Sequence, residues 1–142
     1  MATTGSLELL ERTLAQAGAI IARVRPEQAT LPTPCASWDV RALVNHVVHD
    51  LQQFTETVHG GQWAPQDTDL AVHGWDVAKA TGQSTDLDPE VGRLALDWGR
   101  ENLKPEFRGD EASGQSFGFE VAVADDAPLY DRLAAFFGRD PR

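Results

Sequence analysis

This chain of 142 residues has one cysteine, one methionine and one tyrosine, and only 12 basic side chains against 22 acidic ones. Cys35 alone cannot close an internal disulfide, which excludes a disulfide scaffold and fits a reducing compartment. It lies in the Pro-bracketed loop "LPTPCAS" and reads as a small hydrophobe rather than a catalytic thiol. The formal charge of −10 and a pI near 4.6 argue against nucleic acid or a membrane surface as partner, because phosphates would be repelled and no basic cluster offsets the repulsion. No window approaches the ~20 apolar residues that span a bilayer. The opening "MATTGSLELLERTLAQ" has neither a basic n-region nor an apolar h-region, and a cytoplasmic location is the expectation. A Gly-rich phosphate loop, a CxxC pair and a nucleophile elbow are also missing, so the lone Ser and Thr residues read as caps and turns.

What is present is helical periodicity. With 42% hydrophobic residues, the chain is long enough for one domain with a real core, spanning 1–142. Leu7, Leu10, Leu14, Ala17, Ile21 and Val24 recur at three- and four-residue steps, which predicts a first helix ended by Pro26. After a Pro- and Thr-rich loop, Ser37 is the expected N-cap of a second helix from Trp38 to about Val58, striped by Val40, Leu43, Val44, Val47, Val48, Leu51, Phe54 and Val58. "HGGQWAPQ" is a break. A third helix is expected from Asp67 or Thr68 to Gly82, and a fourth is capped at Asp88-Pro89-Glu90, buries Val91, Leu94, Ala95, Trp98 and Leu103, and ends at Pro105. Residues 106–116 read as a loop. "FGFEVAV" alternates Phe117, Phe119, Val121 and Val123 with period two, a short extended segment. A last helix capped by Asp126 turns Leu129, Leu133 and Phe137 inward and stops at Gly138. The fold class is all-α with one short extended segment near its end.

Chemistry is suggested only by the third helix and its neighbour. Asp69 and His73 are four residues apart, so on a helix they stack on one face, within one ~100° arc that also holds Asp76, Val77 and Ala80. Two readings stand: two ligands of a metal, or an Asp answering the helix macrodipole from the first turn beside an ordinary half-buried histidine. On the second helix, His46 lies off the apolar stripe on a flank with Leu43 and Asp50, and His49 lies almost opposite the stripe, toward solvent. His59, beside two glycines, reads as a surface loop residue. If His46, Asp69 and His73 met, they would form a two-histidine, one-carboxylate set with a position left open for water or a thiol.

The stretches "LERTLAQAGAIIARVRPEQATLPTPCASWDVRALVNHVV", "VHGWDVAKATGQ", "DPEVGRLAL" and "FGFEVAVADDAPLYDRLAAFFGRDP" resemble the mycothiol-dependent maleylpyruvate isomerase N-terminal domain family, part of the DinB-like group of actinobacterial helical bundles. The resemblance implies an up-and-down four-helix bundle that binds a divalent metal, zinc first and nickel next, with mycothiol as thiol cofactor and S-transfer or isomerisation as the reaction class. Carried over by position, the ligands fall on His46, Asp69 and His73, with Asp where the family often has Glu. The chain departs from the family pattern between the second helix and "HGWD", where ten residues, "HGGQWAPQDT", replace a helix of the bundle. A shortened bundle exposes faces the lost helix covered, so the expected partner is a second copy, a homodimer in which helices can be exchanged and in which Trp63 is a candidate contact. A small-molecule thiol or electrophile is the other expected partner, and the alternative function is a non-catalytic ligand- or partner-binding descendant.

Overall fold

Every side chain from Leu70 to Ala78 is buried in the computed structural model, which describes residues 4–34, 38–56, 65–103, 108 and 118–141. A helical stretch without an exposed face is one enclosed by its neighbours. This helix, α3 (Pro65–Ala80), packs against α1 (Thr4–Ala22), α2 (Val40–Glu56), α4 (Pro89–Asn102) and α5 (Leu129–Phe136). The architecture is all-α, with no strand among the described residues, and none of these helices is long and apolar enough to cross a membrane. Cys35, Ser37, Val58, His59, Trp63, Phe117 and nearly all of the 106–116 loop lie outside the described residues, as do the side chains of Leu7, Leu10, Asp50, Leu51, Phe54 and Asp67.

Two apolar clusters flank α3. On one side Ala71, Val72 and Trp75 meet Val91, Ala95 and Leu96 of α4 and Tyr130, Leu133, Ala134 and Phe137 from α5 and its end. On the other, Val77 and Ala78 meet Ile20 of α1 and Leu43 of α2. The buried side of α1 runs through Thr13, Ala17 and Ile20, one residue off the predicted Leu14 and Ile21, because packing along α3 sets the rotation of the helix. Thr13 satisfies its hydroxyl by donating to the Leu9 carbonyl at 2.7 Å.

Three helix starts depart from expectation. Asp39 caps α2: its carboxylate accepts from the Ala42 N–H at 2.9 Å. The preceding loop meets the next donors, Val40 N–H giving to Leu31 and Arg41 N–H to Ala29, so this turn is docked on the helix start and Trp38 is held outside it. Helix α3 starts at Pro65, as proline's fixed φ suits a first turn. Asp88 caps α4 as expected, accepting from the N–H groups of Glu90 and Val91. Pro128, not Asp126, stands before α5. Gly138 ends α5 at φ 89°, a left-handed conformation that suits glycine. Residues 118–124 form neither helix nor strand and are tied by Val121 N–H to the Ala135 carbonyl; Phe119 is largely exposed.

Candidate metal centre

Starting α3 at Pro65 places Asp69 in the second turn, beyond the unpaired N–H groups of the helix start. Its carboxylate turns to two imidazoles instead. One oxygen lies 3.2 Å from Nε2 of His46, the other 3.2 Å from Nε2 of His73. His46 reaches this point from α2 and His73 from one turn further along α3, so the three residues meet within one chain and need no second copy to complete the set. Their ligand atoms all lie within 4.8 Å of one another. His49 is exposed, as its place opposite the stripe suggests.

Exposure falls steadily through the site: 31% for the His46 side chain, 22% for Asp69, 6% for His73 and zero for Asp76. The centre therefore opens at His46 and is anchored in the interior at Asp76. Nδ1 of His73 faces Asp76 Oδ2 at 3.1 Å, and Asp76 in turn accepts from Arg139, whose Nη2 lies 3.0 Å from the same oxygen and whose Nε lies 3.2 Å from the other. Trp38 covers the imidazoles, its ring 4.7 Å from that of His46 and 6.0 Å from that of His73.

The electrostatics follow from these distances. Burial pulls the His73 imidazole down, but the charge and hydrogen bond of Asp69, followed by those of Asp76, outweigh it and push the group up to about 9. With a carboxylate at each nitrogen, the metal-free ring carries both protons. Burial pushes the Asp76 carboxyl up, yet Arg139 and then His73 hold it below the usual carboxylate range.

The donor set fits a divalent cation. Two imidazole nitrogens and a carboxylate oxygen suit zinc or nickel. Bonds of about 2.0–2.1 Å at tetrahedral angles place neighbouring ligand atoms roughly 3.3 Å apart; each imidazole lies 3.2 Å from its own Asp69 oxygen, and with one donor atom per residue the set lies within 4.8 Å, so a modest side-chain closure brings it onto a cation. The Asp76 contact at Nδ1 is the kind of outer partner that fixes a ligating histidine with Nε2 inward. Three protein ligands leave a further position, and the rise in exposure toward His46 gives it an outlet. Asp76, Arg139 and Trp38 were not predicted as site residues. Asp76 does share the Asp69–His73 arc, and that i, i+3 spacing from His73 was the available signal; Arg139, 63 residues further on, carries none.

The chain matches the family described as mycothiol maleylpyruvate isomerase N-terminal domain over residues 10–133. It is 30% identical to the uncharacterized proteins MT0763 of Mycobacterium tuberculosis strain CDC 1551 / Oshkosh and Rv0738 of strain ATCC 25618 / H37Rv, over 87% of this chain and 92% of each relative. The aligned span of 176 residues exceeds the 142 of this chain, so these relatives carry residues that this chain lacks. No solved structure matches it.

Proposed function

Since this chain belongs to the mycothiol maleylpyruvate isomerase N-terminal domain family, we propose that it is a divalent-metal protein, with zinc or nickel held by His46, Asp69 and His73, and that its small-molecule partner is a thiol of the mycothiol class. The observation that carries this reading is Asp69 at 3.2 Å from both imidazoles, with Asp76 holding the buried one from behind. A bound divalent cation would lower the pKa of a thiol at its open position and keep it as thiolate at neutral pH. The chain's own residues supply the rest. His46 and Trp38, both half-buried, form the outer rim that a thiol would meet first, while His73 and Asp76 fix the inner wall and keep water from it. Isomerisation is the reaction class that the family description names, and S-transfer is the other class that the sequence resemblance implies.

A second copy is proposed as partner. Among the helices, α2 packs chiefly on α3, Val48 is exposed on it, and the longer relatives have chain to spare that this protein lacks. The same shortening favours a second reading, in which a wall of the substrate cavity is gone and the protein binds a ligand or partner without turnover. Both are tested by titrating zinc into metal-free protein, following intrinsic tryptophan fluorescence and heat, then adding mycothiol. Saturation at one zinc per chain followed by a thiol-dependent change supports the thiol reading. Saturation without any thiol response supports the non-catalytic one. Light scattering gives twice the chain mass of 15.5 kDa if the dimer is correct and the single mass if it is not.

A further inference from the structure

The segment that follows α5 lies directly behind the ligand helix. Gly138 takes its left-handed turn against Gly118, where a Cβ would stand 2.6 Å from the Gly118 Cα, and the N–H groups of Gly138 and Arg139 close the turn on the carbonyls of Ala135 and Ala134. This geometry points the Arg139 side chain back onto α3. There it grips Asp76 through Nε and Nη2 and steadies itself on the Phe137 carbonyl through Nη1 at 2.8 Å. One turn along α3, Lys79 donates to the Pro141 carbonyl at 3.0 Å, and Pro141 is buried. Residues 138–141 are thus fastened along α3 at Asp76 and Lys79, on the far side of His73 from Asp69 and His46.

A buried ion pair is weak evidence for stability, since apolar side chains of similar volume commonly do as well. Here the pair does not stop at itself: Asp76 Oδ2 is shared between Arg139 and Nδ1 of His73. We propose that Arg139 is a positioning residue for the metal centre, and that docking of segment 138–141 on α3 and cation binding at His46, Asp69 and His73 favour each other. The inference rests on the metal reading above. Arg139 aims the Asp76 carboxylate, Asp76 fixes the His73 ring, and His73 presents Nε2 to the shared site. Loss of such outer partners typically weakens metal binding 10–100-fold. Because coupling between two equilibria is reciprocal, the cation must stabilise the docked segment by the same factor.

The test measures zinc affinity by competition with a chromogenic chelator for the intact protein, Arg139→Lys and Arg139→Gln, together with amide hydrogen exchange at Arg139 in the intact protein with and without zinc. Arg139→Gln should bind zinc 10–100-fold more weakly, Arg139→Lys should recover part of the loss, and zinc should slow exchange at Arg139 by a comparable factor. A purely structural ion pair would instead lower the denaturation midpoint of metal-free protein and leave the zinc affinity of the folded variants unchanged, which overturns the inference alone. If Arg139→Gln does not fold, exchange in the intact protein decides, and unaltered exchange at Arg139 on zinc saturation overturns the coupling. No zinc binding by the intact protein overturns the metal reading, and this inference with it.

Discussion

Asp69 stands between His46 and His73 with one carboxylate oxygen 3.2 Å from each Nε2, so a single side chain joins two helices at the most exposed end of a buried polar chain. In metal-free protein this arrangement binds protons in place of a cation. His73, raised from 6.5 to about 9, contributes stability that is fully present below about pH 6.5 and is lost as pH rises from there through about 9. At 1.36 kcal/mol per pKa unit the loss is about 3 kcal/mol. The urea midpoint of metal-free protein should fall across that window, and a flat midpoint contradicts the assignment. Metal binding must displace the Nε2 proton, so zinc affinity should climb roughly tenfold per pH unit up to about pH 9.

The three histidines within the second and third helices separate by role. His46→Ala and His73→Ala should each abolish or cripple metal binding. His49→Ala, on the exposed side of α2, should leave the affinity within about twofold of the intact protein, as surface substitutions usually perturb by less than ~0.5 kcal/mol. Equal losses at all three positions, measured by calorimetry, would show that the ligand assignment is wrong.

The packing that holds the segment behind the site can be tested apart from any metal. A Cβ at Gly99 of α4 would stand 2.6 Å from the Phe137 ring and 2.9 Å from that of Phe136, so Gly99→Ala forces α4 and α5 apart. Overpacking of this kind costs about 1–3 kcal/mol, read as a lower midpoint in urea. Gly18→Ala is the control: it meets nothing within 4 Å on the exposed side of α1 and should stabilise slightly through helix propensity.

Much of this was legible in the chain because the relevant signals are local. Asp88-Pro89 announces α4, Gly138 announces the end of α5, and the i, i+4 spacing of Asp69 and His73 puts them on one face. Where a neighbour decides, the sequence is silent. Pro65 starts α3 inside what reads as a break, since the Pro–Gln–Asp–Thr run offers several equivalent starts. Ile20 rather than Ile21 is buried because packing on α3 sets the rotation of α1. Helix periodicity places His46 off its stripe, and only the packing of α2 on α3 turns that flank toward Asp69. Arg139 is found by no periodic rule; its partner is brought to it by the whole bundle.

The measurement to make is metal content by plasma mass spectrometry on protein purified without a histidine tag, before and after reconstitution with zinc or nickel. About one zinc or nickel per chain, absent from His46→Ala, is the predicted result. Protein that holds no metal even after reconstitution would mean that His46, Asp69 and His73 form only a hydrogen-bonded link between α2 and α3.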